Sequence, residues 1–463
     1  MNSDLGPTDV DCLLTARWVL PMTSPPIEDG AVWVRGGRIA SVGPRDAVEA
    51  EAGPCRRFVF DRAALVPGLV NVHTHVELTA LRGFVEDRDF FRWIRKLTEA
   101  KYEVLSSEEI LASSLWGGLE ATRAGVTTMG EVCDIGAAPR ALATAGLRGV
   151  VYQEVFGPAD EDADASLQIL QQKLADHLAA SFSRLKIGVS PHAPYSVSST
   201  LFEKVIELAR EHDYPVCVHA AESRAERDFV FRGEGPFADW LRARGISWKA
   251  PRCSTVEYLE RLGVLATRPL LVHCIDCSSD DLARLAATQT AVAHCPKSNA
   301  KLGHGIAPLA GMLEAKVRVG LGSDSVVSNN TCDLFEELRL ASLLLRAGPD
   351  DGVGGAWTAR DALGLATLAG AEALGLADQV GSLEAGKFAD IIAVDLSGPH
   401  AEPVHDVEAA LVWSASARDV VFTMVEGEVL YEDGRFSRLD EPALRQEIEA
   451  IARKLSAAFH KCL

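Results

Sequence analysis

Residues 67–83 read PGLVNVHTHVELTALRG. After the Pro-Gly break, the apolar run LVNV predicts a buried strand, and HTH gives it a polar end. Seven comparable runs follow: GVTTMGEV from 125, LRGVVYQEV from 147, LKIGVSPHA from 185, YPVCVHAAE from 214, RPLLVHC from 268, TAVAHCP from 290 and VRVGLGSD from 317. Segments of helical period lie between most of them, such as SSEEILASSLWGGLEATRAG and LFEKVIELAREHD. Strand–helix alternation repeated eight times predicts parallel βαβ units, hence an α/β fold with a (β/α)8 TIM barrel over residues 67–375.

The flanks differ in character. Residues 1–66 hold short alternating runs punctuated by glycine (CLLTARWVL, GAVWVRGGRIASVG, RRFVFDRAALVPG), which predict a small antiparallel sheet. Residues 376–463 return to the same pattern after a helical stretch, TARDALGLATLAGAEALG, and finish in an amphipathic helix, EPALRQEIEAIARKLSAAFH. The two ends are therefore expected to join in one small β-sandwich domain beside the barrel. The chain's 463 residues suit this division, since α/β barrels run well past the usual domain length.

Lys and Arg number 46 against 65 Asp and Glu, a formal charge of −19. Such a chain repels nucleic acid and anionic membrane surfaces, so a small-molecule substrate is expected and homo-oligomerisation is left open. No apolar run reaches the roughly 18 residues of a membrane span. The start, MNSDLGPTDVDCLL, carries acids where an export signal needs a basic start. Cysteines scattered through apolar stretches read as reduced thiols, which points to the cytoplasm. Cys274 and Cys277 form a CxxC without a second pair at zinc-site spacing, a weak signal for metal or redox chemistry.

Six of the twelve histidines close predicted strands: His73 and His75 the first, His192 the fourth, His219 the fifth, His273 the sixth and His294 the seventh. Asp324 closes the eighth. Strand ends form the active face of such a barrel. On a strand, positions i and i+2 face one side, so His73 and His75 can share a metal. Taken alone, HTH reads equally as two hydrogen-bonded rim histidines. With His219 and Asp324 it supplies three imidazoles and a carboxylate, a donor set for a borderline divalent metal with room for water. Glu222, just past the fifth strand, is placed to donate or accept a proton. His273 is placed to handle the proton of a water.

The motifs PGLVNVHTHVELTALRG, CVHAAES, LLVHC, VAHCPKSNAKLGHGIAPL and VGLGSDSVVSNN, in that order, resemble the amidohydrolase superfamily. The nearest branch holds the ATZ/TRZ-type chlorohydrolases and the methylthioadenosine/S-adenosylhomocysteine deaminases; its C-terminal β domain resembles the run from Gly381 to Asp395. The resemblance implies that His73, His75, His219 and Asp324 hold one divalent metal, Zn2+ first, with Fe2+ or Mn2+ also accepted. Glu222 and His273 become the proton-handling pair, aided by Asp324. His192 contacts the substrate and Trp93, in FFRWI, packs beside its base. The only lysine of the fourth strand, Lys186, starts it, so no carboxylated lysine for a second metal is expected.

The chain departs from the deaminases at two places. Glu77 stands where they usually have a small residue, and Tyr102 falls near their ribose-gripping glutamate, with Glu99 and Glu103 as substitutes. HTHVE, FFRWI and RAERDFVFRGEGPFADWL look more like the relatives that deaminate 6-aminodeoxyfutalosine. By strand alternation Glu77 would point into the mouth, where it and Tyr195 would contact substrate. The expected function is hydrolytic deamination of an aminated purine nucleoside, such as 6-aminodeoxyfutalosine, S-adenosylhomocysteine or methylthioadenosine. A chlorohydrolase or guanine-type deaminase uses the same site, and a non-catalytic assembly protein is the alternative of another class.

Overall fold

The computed structural model describes residues 11–86, 90–348 and 352–459, with the backbone alone for 90–92. Most of the N-terminal stretch read for an export signal, residues 1–10, lies outside them, as does His460 at the end of the predicted last helix. The chain opens with strands β1 (Cys12–Val19), β2 (Ile27–Arg35), β3 (Arg38–Pro44) and β4 (Arg56–Pro67). All eight apolar runs are then strands: β5 (Leu69–Thr74), β6 (Val126–Cys133), β7 (Arg148–Val155), β8 (Leu185–Pro191), β9 (Cys217–Ala220), β10 (Leu270–His273), β11 (Ala291–His294) and β12 (Arg318–Leu321). Strands β13 (Ile391–Asp395), β14 (Val420–Val425), β15 (Glu428–Glu432) and β16 (Arg435–Phe436) follow.

The eight middle strands form two parallel four-stranded sheets, β5-β6-β7-β8 and β9-β10-β11-β12. Single bridges join them at both edges, Val189 to Val216 and Thr74 to Asp324. β6 and β7 are buried along their whole length, which is why they read as continuous apolar runs instead of alternating ones. This is a TIM-barrel-type α/β arrangement with all strand C-termini on one face.

The two chain ends meet in one eight-stranded sheet, ordered β16-β15-β14-β13-β4-β1-β2-β3. β13 lies antiparallel to β4, so the last segment closes on the first. The first four strands are not purely antiparallel as expected: β1 and β4 pair in parallel. The chain between β3 and β4 passes through a helix, Arg45–Glu51, and such a crossover lets β4 enter beside β1 in the same direction. The terminal helix, Glu441–Phe459, does not stay with the end sheet. Its buried Ile451 and Leu455 share an apolar cluster with Leu81, Trp93, Leu97 and Ile110 from the segment after β5. No helix among the described residues is long and apolar enough to cross a membrane.

Ion pairs tie the end sheet to the barrel strands, among them Arg184 with Glu426 and Glu428, and the most buried is that of Arg148. Arg148, at the start of β7, meets Asp390, just before β13, through Nε–Oδ2 at 2.9 Å and Nη2–Oδ1 at 3.4 Å. Both side chains are buried, 5% and 2% exposed. Removing Arg148 would leave the Asp390 carboxylate buried with the Glu426 N–H, 2.8 Å from Oδ1, but without its cation. Arg148→Ala is expected to cost about 3–5 kcal/mol of unfolding free energy. Urea denaturation reads this directly, and a loss below about 1 kcal/mol, the value of an exposed pair, would refute the account.

Candidate active site

Five strand ends converge on one cluster. His73 lies inside β5, two residues before His75; the strand stops at Thr74, so His75 is outside it. Their Nε2 atoms nevertheless both face Asp324 Oδ1, at 3.3 and 3.5 Å. The His219 ring, from β9, is centred 5.0 Å from His73 and 5.5 Å from His75. Ligand-type atoms of His73, His75 and Asp324 lie within 4.8 Å of one another, as do those of His73, His219 and His273. His192 follows β8, and its ring centre lies 4.8 Å from that of His219 with the two planes tilted by 39°. His294 closes β11 but is not among the residues lining the cavity.

The backbone is bent to make this happen. Ala221, His273 and Asp324 have positive φ (52°, 72° and 58°). Left-handed conformations in non-glycine residues cost on the order of 1–3 kcal/mol each and persist where surrounding contacts over-determine them. Those contacts are visible. The Asp324 N–H donates to the His73 carbonyl at 2.9 Å. The hydroxyls of Ser298 and Ser328 donate to Asp324 Oδ2 at 2.5 and 2.9 Å, so Oδ1 is the oxygen turned to the imidazoles. Asn299 Oδ1 accepts from His273 Nδ1 at 2.9 Å, which leaves the lone pair on Nε2. The Glu226 carboxylate accepts the Ala221 and Glu222 N–H groups at 2.8 and 2.9 Å and fixes the loop that carries Glu222.

The donor set fits a divalent metal. His73 is fully buried, and neither ring nitrogen has a hydrogen-bond partner of normal geometry. Such an orphaned imidazole is costly unless a cation takes its lone pair. Burial lowers the pKa of His73, His75 and His219 and keeps the rings neutral, as ligands must be. For Asp324 burial pushes the carboxyl up, but the imidazoles facing it, His73 first, then His273 and His75, outweigh burial and hold it well below its usual range. Three imidazoles and one carboxylate are nitrogen and oxygen donors of the kind that would hold Zn2+.

Glu222 and His273 stand beside this set, with Oε1 and Nε2 3.6 Å apart. His304 Nε2 is also 3.6 Å from Glu222 Oε1, a neighbour that sequence reading missed. The cluster opens into a cavity of about 1120 Å3, with His75, Trp93, His192, Tyr195, Glu222 and Asp324 in its walls. Tyr195 is stacked on Phe237 with ring centres 3.9 Å apart. Cys274 and Cys277 lie together, but the hydrogen bond between them and burial push the Cys277 thiol up, away from the thiolate that metal binding or redox exchange requires.

Glu77 is a correction. It lines the cavity, yet it was expected to present a free carboxylate at the mouth. The chain turns into a 3-10 helix at Val76–Leu81, so strand alternation no longer applies. Its carboxylate instead accepts four backbone N–H groups, from Asp134 and Ile135 on Oε2 and from Gly136 and Ala137 on Oε1, at 2.8–3.0 Å. It braces the loop after β6. Sequence reading also passed over Lys101, Asp134 and Glu154 in the cavity wall. For Glu154 the signal was present: it follows the apolar run LRGVVYQ at the end of β7, as the histidines follow theirs.

Comparison with known proteins places the chain in a family. Residues 64–430 match the model of the Amidohydrolase family. A 5-methylthioadenosine/S-adenosylhomocysteine deaminase of Nitratidesulfovibrio vulgaris (strain DSM 19637 / Miyazaki F) is 35% identical over 431 residues, covering 92% of this chain and 93% of that protein. One from Pelotomaculum thermopropionicum is 32% identical over 449 residues, covering 96% and 98%. The crystal structure of a Xanthomonas campestris adenosine deaminase with bound zinc superposes with a TM-score of 0.86 at 29% identity, covering 98% of this chain and all of that one. With its motifs in order along a matched span of this length, the chain belongs to the amidohydrolase family.

Proposed function

We propose that this protein is a metal-dependent hydrolytic deaminase that releases ammonia from an aminated purine nucleoside. The carrying observation is the Glu222–His273 pair at 3.6 Å, set beside the His/His/His/Asp donors on the wall of one large cavity. The similarity to 5-methylthioadenosine/S-adenosylhomocysteine deaminases over nearly the whole chain supports the substrate class. S-adenosylhomocysteine, methylthioadenosine and 6-aminodeoxyfutalosine all belong to it.

In this reading His73, His75, His219 and Asp324 are the ligands. A divalent metal held by these four would supply Lewis-acid activation of a water at neutral pH. Glu222 delivers a proton to the ring nitrogen next to the amine-bearing carbon, which removes the charge that would build there. His273 Nε2, with its lone pair free and its ring fixed by Asn299, takes up a proton and returns it to the departing ammonia. Asp324 holds its share of that network through Oδ1. Trp93 and His192 line the space for the base. An ammonia-coupled assay of metal-loaded protein against adenosine, methylthioadenosine, S-adenosylhomocysteine, guanine and a chlorotriazine tests the reading. Turnover of guanine or the triazine with none of the nucleosides overturns the substrate class.

Trp93 is 8% exposed on the cavity side. Stacking on a flat base acts equally in ground and transition states, so Trp93→Ala should raise KM more than it lowers kcat. An offset ring pair is worth about 0.5–1.5 kcal/mol beyond area, and apolar burial adds to that, so a KM rise of about tenfold or more is expected. A fall in kcat at constant KM would move Trp93 out of the base site.

Three further readings belong here. The bridges at both sheet edges support a closed (β/α)8 barrel. The shared end sheet supports a second, β domain built from both chain ends, with the division at 67 and 375, though its strands form one sheet and not two packed ones. The free thiols of the described cysteines fit a reducing cytoplasmic setting.

A further inference from the structure

His75 is aimed by something other than its strand. β5 and β6 run in parallel, with Asn71 opposite Met129 and Thr74 opposite Glu131. From 71 to 74 is three steps on β5, and from 129 to 131 is two on β6, so β5 carries one extra residue across His73. Such a bulge breaks the alternation of faces, and β5 ends at Thr74, so strand geometry no longer decides where His75 points. The His75 backbone has left the strand, with φ −136° and ψ 73°. Among the described residues the polar contact of its ring is with Asp324, itself a member of the donor set. The direction of the ring has to be set by the residues on either side.

One carboxylate holds both of those residues. Glu131, in β6, is fully buried. The Thr74 hydroxyl donates to its Oε2 at 2.5 Å, and the Val76 N–H donates to its Oε1 at 2.8 Å. Two bonds from one strand residue thus clasp the chain immediately before and after His75. A buried carboxylate is costly without hydrogen bonds, and here each oxygen has one. The strands approach closely enough for this clasp: a Cβ on Gly130 would lie 2.1 Å from the Val72 carbonyl oxygen. His75 lines the cavity, whereas Glu131 is not among the lining residues, so it stands behind the site and away from substrate.

We infer that Glu131 is a positioning residue of the metal centre: by clasping Thr74 and Val76 it fixes the direction of His75 and so sets how tightly the four donors hold a divalent ion. The inference rests on the ligand set proposed above and adds to it a residue that supplies no donor atom. A ligand already aimed loses little freedom when the ion binds, while a loose one must be ordered by the ion itself at the expense of affinity. Partners that orient a ligating histidine commonly bond its second ring nitrogen, and their loss costs about 10–100-fold in metal affinity. Here the orienting bonds act on the backbone and the neighbouring side chain instead.

The test measures Zn2+ affinity of the full chain by chelator competition, beside a denaturation curve for each variant. Glu131→Ala should weaken Zn2+ binding by about 10–100-fold in folded protein. Thr74→Val removes one of the two bonds and keeps the side chain's shape, so it should weaken binding in the same direction but less. Glu131→Gln keeps an oxygen for the Val76 N–H and offers an N–H to Thr74 Oγ1, whose own proton then turns to the Gly130 carbonyl 3.3 Å away. That variant should stay within about threefold of native affinity, because both bonds survive. The visible spectrum of the Co2+-loaded protein, which reports ligand geometry, should change in Glu131→Ala and match native in Glu131→Gln. A purely structural role would lower stability and leave affinity and spectrum alone. Native affinity and spectrum in folded Glu131→Ala, or in Thr74→Val where Glu131→Ala does not fold, overturn the clasp. Glu131→Gln as weak as Glu131→Ala overturns it too. His75→Ala separates the clasp from the ligand reading: lost affinity there with none lost in Glu131→Ala overturns the clasp alone, and native affinity in His75→Ala overturns both.

Discussion

His219→Ala is expected to lose metal and activity together. The cluster offers three imidazoles and one carboxylate that would hold the ion together, and removal of one takes away a direct donor and weakens the set. Losing merely an outer partner of a ligand costs about 10–100-fold in metal affinity. Losing the ligand itself should exceed that, and elemental analysis after dialysis should find the variant nearly free of metal. The same holds for His73→Ala, His75→Ala and Asp324→Ala. The substitution also opens a cavity in a buried site, so a denaturation curve must accompany it. A folded His219→Ala protein with full metal content removes His219 from the ligand set. Retained metal with lost activity would instead place His219 among the groups that touch substrate.

Glu222→Gln should separate proton transfer from metal binding. Glu222 is 8% exposed and faces His273 and His304, with Oε1 3.6 Å from Nε2 of each. Its backbone N–H is held by Glu226, which the substitution leaves alone. The fold and metal content should therefore survive. Glutamine has nearly the same shape but no titratable proton, so kcat should fall by about 10² to 10⁴, the range for general acid–base catalysis. KM should move little. An unchanged kcat for nucleoside deamination takes Glu222 out of the mechanism. A loss of metal in this variant would instead make the carboxylate a ligand.

Much of this protein was legible in its sequence because the signals were local or periodic. A strand covered on both faces must be apolar along its length, so eight such runs announced themselves, and each exists in the structure. A polar residue that ends such a run lies at the strand's carboxyl end, which is why His73, His219 and His273 could be placed at one mouth. Pairing across more than 300 residues, as between β4 and β13, was legible only as a shared composition of the two ends. The parallel pairing of β1 with β4 was missed, because direction depends on how the connecting helix crosses the sheet.

The tertiary structure alone decided where individual side chains point. Glu77 follows the HTH motif closely enough to seem a mouth residue, but the chain bends into a 3-10 helix and four N–H groups 57 to 60 positions away claim its carboxylate. Lys101, Asp134 and Glu154 come from a π-helical turn, Ala100–Val104, a loop and a strand end, with no common motif, and line one cavity only because the barrel mouth gathers them. Asn299, Ser298 and Ser328 were given no role from the sequence, yet they set which atom of His273 and Asp324 faces the imidazole cluster. Periodicity carries information about which face of an element is buried, and so it determines strands, helices and the residues at their ends. Hydrogen-bond partners across the fold depend on distances that no local pattern encodes, and these fix each side chain's orientation and charge.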